Sequence, residues 1–245
     1  MSSAAPASAG GLAPARRQLV LDLPHAEGER LTDFMPAESN REALNAVLEW
    51  PAWPGPVCLV IGPSGSGKTH LARIWAKRAG ATFLHGPGLW EPAQPLLRVQ
   101  GAFACVVDDA DDTAEEELLF HLWNHVIDGV GSMMLTARLP VPAWGIRLAD
   151  LHSRLMTAWP VEIGAPDDDL LGALLVKQLA DRQISVDQDV VTFLTRRIER
   201  SFAAARSVVR ALDRASLCAR RPITMPLARA VLDELALESV GEGEG

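Results

Sequence analysis

The chain has 245 residues with a formal net charge of −8 at neutral pH, and 48% of its residues are hydrophobic. This length allows one large domain or two modest ones with a sizeable core, whereas the acidic balance argues against a protein whose main task is non-specific DNA binding, which needs a basic face. The three cysteines show no metal-binding or disulfide spacing, which indicates a reducing, cytoplasmic setting, and no stretch approaches the length of a membrane span.

The two ends of the chain predict flexible tails, at residues 1–29 and 239–245. Residues 1–16 are rich in Ala, Ser, Gly and Pro, and the last five residues alternate Gly and Glu. One segment of the first tail is different, because it has a Gln followed by spaced leucines: Gln18-Leu19-Val20-Leu21-Asp22-Leu23. Apolar alternation of this kind would also fit an edge strand.

A glycine-rich segment follows the first predicted strand, an apolar run at residues 57–61. It matches the phosphate-binding loop pattern G-x-x-x-x-G-K-[ST] at every fixed position, as Gly62-Pro63-Ser64-Gly65-Ser66-Gly67-Lys68-Thr69. Residues 70–79 predict a helix, so the motif has the strand–loop–helix context that it requires. Backbone N–H groups and the helix N-terminus would face the phosphates. We expect Lys68 to reach the β- and γ-phosphates and Thr69 to ligate Mg²⁺.

Five apolar, β-rich runs predict strands, at residues 57–61, 81–85, 102–107, 132–136 and 159–163. Helical patterns lie between most of them, and strands that alternate with helices predict a parallel α/β sheet. The clearest helix is predicted at 113–129, where Thr113 offers an N-cap and an apolar stripe follows. Asp111 and Asp112 are expected to start this helix.

The third predicted strand ends in two acidic residues, Asp108 and Asp109. An apolar strand with this ending, downstream of a phosphate-binding loop, has the Walker B pattern. Asp108 would hold Mg²⁺ directly or through water, and Asp109 could orient or activate an attacking water. Many strands end in Asp at a turn, so the preceding loop is what favours the functional interpretation.

After residue 163 the predicted strands stop and four helices follow, at residues 167–182, 187–197, 201–219 and 224–237. This change predicts two folded domains: a nucleotide-binding α/β domain at 30–164 and a helical lid domain at 165–238.

Four segments carry motifs that stand together in one known family: Gly67-Lys68-Thr69-His70-Leu71; Val107-Asp108-Asp109; Thr113-Ala114-Glu115-Glu116 with Phe120-His121-Leu122-Trp123-Asn124; and Leu135-Thr136-Ala137-Arg138. Their combination resembles the AAA+ module of DnaA, the bacterial replication initiator, over roughly residues 30 to 237. The resemblance implies an AAA+ P-loop NTPase with a five-stranded parallel sheet and an all-α lid. It also implies ADP or ATP with Mg²⁺ as cofactors.

The resemblance gives roles to two arginines. Residues 151–155 resemble the family's box VII, which implies that Arg154 is an arginine finger for a γ-phosphate bound by a neighbouring subunit. Without the resemblance, Arg154 would be interpreted as a surface residue on a helix. Residues 205–210 resemble the sensor 2 helix, which implies that Arg206 touches the bound nucleotide from the lid, although an Arg-rich helix would also suit a solvated face.

The sensor 1 position is left open by the sequence. Thr136 and Arg138 both lie at the end of the fourth strand, and the segment 137–140 departs from the family's usual run. His70 follows the phosphate-binding loop as in the family and belongs to the expected nucleotide-binding set, with no catalytic role.

The segment at 18–23 resembles the peptide by which proteins dock on the bacterial sliding clamp, with Gln18 making the polar contact and Leu19, Leu21 and Leu23 entering apolar pockets. The initiators carry a helix-turn-helix DNA reader after the lid, and none is expected here. This combination resembles the regulatory branch of the family.

The resemblance to that branch implies a negative regulator of replication initiation with DnaA and the clamp as partners. It would present Arg154 to ATP bound to DnaA and promote its hydrolysis, without direct sequence-specific DNA binding or membrane association. The resting nucleotide, the protein's own weak ATPase activity and homo-oligomerisation are left open. Two alternatives stay open: an autonomous ATPase like DnaA or the helicase loaders, and a scaffold that recruits another partner to replication sites.

Overall fold

The structure is a computed structural model that describes residues 34–88, 93, 95–98, 101–129, 131–219 and 222–241. Side chains of residue 219 and of residues 236–241 are outside the description. The predicted tail at 1–29 and its clamp-docking segment at 18–23 lie outside the described residues. Within the described ranges, no helix has the length and apolarity needed to cross a bilayer.

Five parallel strands form one sheet, as predicted: β1 (Val57–Ile61), β2 (Thr82–His85), β3 (Ala104–Asp108), β4 (Ser132–Ala137) and β5 (Trp159–Glu162). Their order across the sheet is β2-β3-β4-β1-β5. Strand β4 therefore lies between β1 and β3, the two strands whose ends carry the phosphate-binding loop and the acidic pair. Since all strands are parallel, these carboxyl ends meet at one edge of the sheet.

Helices cover both faces of the sheet: α1 (Arg41–Glu49) and α2 (Lys68–Ala79) on one face, and α3 (Glu116–Asp128) and α4 (Ala149–Leu155) on the other. The three central strands, β1, β3 and β4, are buried on both sides, which explains their nearly continuous apolar runs, whereas the edge strands β2 and β5 carry exposed residues. Leu71, Ile74 and Trp75 of α2 are buried against the sheet. Trp75 stacks on Trp53 with ring centroids 5.1 Å apart.

The start of α3 differs from its prediction. The helix begins at Glu116, and its N-cap residue, Glu115, makes no side-chain cap hydrogen bond. The prediction that Thr113 caps the helix is wrong, because its hydroxyl accepts the N–H of Glu115 (3.2 Å) before the helix begins. Asp111 and Asp112 lie in a separate short 3-10 helix rather than in the first turn of α3.

The C-terminal region is helical, as predicted, with four helices: α5 (Asp168–Ala180), α6 (Gln188–Thr195), α7 (Phe202–Ala219) and α8 (Met225–Gly241). They share an apolar core of their own, which includes Leu175, Leu194, Leu212 and Val231. Helix α5 is capped by Asp167, whose carboxylate accepts the N–H of Leu170 (2.7 Å). Helix α8 ends within the segment that composition predicted as a tail.

The three cysteines have different surroundings. Cys58 and Cys105 are buried in the sheet, and burial raises the pKa of each thiol to about 12. For Cys58, the charge of Glu42 raises the pKa further. Cys218 is exposed on α7.

Candidate functional site

The glycine-rich loop at 62–69 connects β1 to α2 and has a backbone that only glycine adopts easily. Gly65 and Gly67 have φ angles of 83° and 93°, in the left-handed region. Gly67 is the N-cap of α2, so no side chain accepts the first N–H groups of that 12-residue helix. These N–H groups and the positive end of the helix dipole together form an anion-binding site.

Lys68 is held inside the loop, with 5% of its surface exposed. Its ammonium group donates to the carbonyl oxygens of Gly62 (2.8 Å) and Pro63 (3.0 Å). Burial lowers the pKa of Lys68, and the nearby negative charges of Asp109 and other carboxylates oppose this effect. The loop thus carries a buried cationic group next to its open N–H groups, as a phosphate site requires.

Asp108, at the end of β3, is 1% exposed and is held by two threonines. The hydroxyl of Thr69 donates to it at 2.9 Å, and the hydroxyl of Thr136 donates at 2.6 Å. Thr136 also accepts the backbone N–H of Asp109 (2.9 Å), so β4 fixes both acidic residues. A hydroxyl beside a buried carboxylate offers the oxygen ligands that Mg²⁺ prefers. The residues therefore fit the predicted ion, which Thr69 and Asp108 would hold.

Asp109 follows β3 in a left-handed conformation, with a φ angle of 52°. Partial burial raises the pKa of its carboxyl, the charge of Asp108 raises it further, and the charge of Lys68 opposes both effects. An acidic group with a raised pKa beside a phosphate site could orient or deprotonate a water.

His85 was not predicted as a site residue. It ends β2 directly opposite Asp108 in the pairing of β2 with β3. Its Nε2 atom lies 3.8 Å from a carboxylate oxygen of Asp108. One potential metal-ligand atom from each of His85, Asp108 and Asp109 lies within 4.8 Å of the other two. The signal available in the sequence was a polar residue at the end of a predicted strand, which gains meaning only once the strand order is known.

Thr136 and Arg138, the two sensor 1 candidates, differ in what they can reach. The hydroxyl of Thr136 is fully buried and already bonded to Asp108 and the chain after it. Half of the Arg138 side chain is exposed, and its guanidinium lies 3.7 Å from Asp111 and 3.8 Å from Asp112. The geometry therefore favours Arg138 for contact with a phosphate and gives Thr136 the task of holding Asp108.

Asp111 connects the acidic strand end to the segment that carries Arg138. One of its carboxylate oxygens accepts the backbone N–H groups of Arg138 (2.9 Å) and Leu139 (3.3 Å). These long-range bonds also explain why Asp111 does not start α3.

Arg206 reaches the phosphate-binding loop from α7. Its guanidinium donates to the hydroxyl of Ser64 (3.2 Å), and a Cβ added at Gly65 would collide with that guanidinium. A cation from the C-terminal helices thus lies directly over the loop. His70 lies in the first turn of α2, directly after Thr69, and its ring meets that of Phe34 edge to face at 5.8 Å.

Arg154 is placed differently from the other predicted site residues. It lies in the last turn of α4, and its guanidinium carbon is 5.0 Å from the ring centroid of Phe120 on α3. Its backbone carbonyl accepts both the N–H (2.8 Å) and the hydroxyl (2.7 Å) of Thr157. Among the contacts of the described residues, Arg154 has no ion pair and no contact with the loop at 62–69.

Comparison with known proteins finds one matching family and several solved structures with a similar fold. Residues 167–232, which span α5 to the first turns of α8, match the family described as "Hda, lid domain". The described fold is similar to domain III of the replication initiation protein DnaA from Thermotoga maritima, with a TM-score of 0.64 and 15% identity, over 82% of this chain and 94% of that chain.

Two further structures show the same architecture. The Holliday junction branch migration motor RuvB of Thermotoga maritima gives a TM-score of 0.64 at 17% identity, over 85% of this chain and 72% of that one. DnaA from Aquifex aeolicus, solved with AMPPCP, gives 0.55 at 17% identity, over 74% and 63%. The fold is that of the AAA+ P-loop ATPases, followed by a helical region consistent with their lid.

Proposed function

From a DnaA-like AAA+ fold that carries an Hda-like lid, we propose that this protein is a negative regulator of replication initiation that promotes hydrolysis of ATP bound to DnaA. The observation that carries the proposal is the position of Arg154. Arg154 is partly exposed, and among the described residues its guanidinium has no ion-pair partner and no contact with the chain's own phosphate-binding loop. Such a group is available to a nucleotide held by another molecule.

The chain's own nucleotide, ADP or ATP, would lie on the loop at 62–69. The N–H groups at the start of α2 and the ammonium of Lys68 would bind its phosphates, and Arg206 would contact it from the lid. Mg²⁺, held by Thr69 and Asp108, would neutralise charge on the phosphate oxygens. With a lid arginine resting on the loop, the nucleotide would link the two regions and stabilise their arrangement.

Arg154 would act on ATP in DnaA as an arginine finger. Its planar guanidinium carries five N–H donors and keeps its charge at any physiological pH. When it contacts the transferring γ-phosphate, it stabilises the charge of the transition state, and trans fingers of this kind contribute about 10³–10⁵-fold in rate. Hydrolysis would leave DnaA with ADP and so prevent renewed initiation.

Docking on the sliding clamp is proposed from the segment at 18–23, where Gln18 would make the polar contact and Leu19, Leu21 and Leu23 would enter apolar pockets. Clamp docking would bring Arg154 to DnaA at replicating DNA. The proposed function does not depend on whether the chain forms homo-oligomers. The molar mass of the protein in solution, measured with and without nucleotide, gives its oligomeric state.

The test follows hydrolysis of ATP prebound to purified DnaA, with this protein and DNA-loaded clamp added. We expect acceleration that requires the clamp, falls to background with Arg154→Ala, and is lost with the double substitution Gln18→Ala and Leu21→Ala. Arg200→Ala is a matched control, because Arg200 is an exposed arginine of the lid that is paired with Asp168. Equal acceleration by Arg154→Ala would refute the finger.

An autonomous ATPase is the second candidate, because the Thr69–Asp108 pair and Asp109 are all in place at the loop. It predicts substantial turnover by this protein alone, stimulated by DNA, without acceleration on DnaA. A scaffold for another partner predicts binding to replication sites that survives the loss of Arg154.

A further inference from the structure

The surroundings of Arg154 include two residues of α3 to which the proposed function gives no role. Glu116 and Phe120 are four residues apart, so they lie on the same side of α3. Glu116 contacts the start of α4 and Phe120 contacts its end. One side of α3 therefore holds the arginine-bearing helix at both of its ends.

The contact at the start of α4 fixes the chain that leads into the helix. Helix α4 has only seven residues, and its N-cap, Leu148, has no side chain that can accept a hydrogen bond. The carboxylate of Glu116 accepts the backbone N–H groups of Leu148 (2.8 Å) and of Arg147 before it (3.1 Å). Burial alone would raise the pKa of Glu116, but these two N–H groups and the charge of Arg147 outweigh burial and lower it. The start of α4 is thus fixed by a charge-assisted contact.

The contact at the end of α4 is made by an aromatic ring. Phe120 is partly buried and packs on the apolar core beneath α3, so its ring is held in place. The guanidinium of Arg154 lies over this ring at 5.0 Å, within the range of a cation–π interaction. Of the arginines discussed above, Arg138 and Arg147 face carboxylates, whereas Arg154 faces a ring. A ring holds the guanidinium but leaves its N–H donors unused.

We propose that Phe120 is a positioning residue for Arg154: its ring holds the guanidinium in a fixed orientation, with its donors free for the phosphate of a nucleotide bound by a partner. The inference rests on the proposed function for the reaction, although the contact itself is a property of the free chain. A flexible arginine loses conformational entropy when it reaches the γ-phosphate in the transition state, and an arginine already held by a ring loses less. Phe120 therefore affects the rate of the stimulated reaction rather than the binding of the two proteins.

The functional test compares Phe120→Leu with Phe120→Tyr in the clamp-dependent hydrolysis of DnaA-bound ATP. Leucine keeps an apolar contact without a ring, and tyrosine keeps the ring. We expect Phe120→Leu to lower the maximal rate about two- to fivefold, the factor that an exposed cation–π pair supports, without changing the half-saturating protein concentration. Phe120→Tyr should retain the native rate. The control is Phe193→Leu in the lid, which removes a ring that lies 4.7 Å from the Arg197 guanidinium.

A second readout does not depend on DnaA. In NMR spectra of the free chain, ring currents should shift the side-chain resonances of Arg154 upfield, and Phe120→Leu should remove this shift while Phe120→Tyr and Phe193→Leu keep it. Unshifted Arg154 resonances in the native chain, or a native maximal rate with Phe120→Leu, would overturn the inference. If the native chain fails to accelerate hydrolysis on DnaA, the proposed function is refuted, and the spectra still decide whether the ring holds the arginine.

Discussion

Thr136 offers a direct test of the argument that β4 holds the acidic strand end. Its hydroxyl donates to Asp108 at 2.6 Å and accepts the N–H of Asp109 at 2.9 Å, and the side chain is fully buried. Thr136→Val has nearly the same shape but lacks the hydroxyl. It removes a hydrogen bond to a charged group, worth about 1.5–3 kcal/mol, and leaves a buried N–H unsatisfied, at a cost of about 1–3 kcal/mol.

The free energy of unfolding of Thr136→Val should therefore fall by about 3 kcal/mol in urea denaturation followed by tryptophan fluorescence. Thr136→Ser is the matched control, because it keeps the hydroxyl and loses one buried methyl group, at a cost of about 1 kcal/mol. Affinity for Mg²⁺–ATP should follow the same order, since Asp108 loses one of its two hydroxyl partners. If the valine variant is as stable as the serine variant, the Thr136 hydroxyl does not hold the acidic strand end in place.

Three further predictions follow from other parts of the chain. Burial, and then the charge of Asp108, raise the pKa of Asp109, so the ionised carboxylate lowers the stability of the fold at neutral pH. Asp109→Asn should therefore raise the free energy of unfolding at pH 7, and this gain should vanish as the pH falls through the pKa of Asp109 in the folded chain. A gain that grows in acid would contradict the raised pKa. Gly65→Ala, at a positive φ angle and against the Arg206 guanidinium, should weaken nucleotide binding in calorimetry by at least about tenfold, and unchanged affinity would exclude Arg206 from the site. A thiol reagent should label Cys218 alone in the native chain and the two buried thiols only after unfolding, so rapid labelling of all three would contradict their burial.

The features that the sequence predicted well depend on local patterns. The three central strands appear as apolar runs because both faces of the sheet are covered there, and the two edge strands were predicted as well. The loop at 62–69 was recognised because its glycines are required by positive φ angles at Gly65 and Gly67. The four C-terminal helices follow from apolar periodicity and from cap residues such as Asp167.

The features that the sequence missed depend on which elements become neighbours. His85 meets Asp108 only because β2 pairs with β3, and the Phe120–Arg154 contact exists only because α3 packs against α4. The Thr113 cap failed for a related reason, since threonine is a good N-cap in isolation and nothing local shows that the helix begins later. Periodicity and capping rules describe one element at a time, and these contacts join elements that are distant in the sequence.

Under the proposed function, one chain carries an intact phosphate site and still acts mainly on a partner, and the arrangement of the arginines is consistent with that division. Arg206 lies over the chain's own loop, and Arg138 lies near its edge beside two carboxylates. Arg154 is held elsewhere, at the end of α4, by the ring of Phe120, and Glu116 fixes the start of the same helix. In phosphoryl transfer, an arginine that reaches the γ-phosphate contributes about 10³–10⁵-fold in rate. If Arg154 is that residue, a lone chain lacks the group that its own ATP would need, whereas a neighbouring DnaA receives it. Slow ATP turnover by the isolated chain and rapid ATP hydrolysis in its complex with DnaA would then both follow from the position of Arg154.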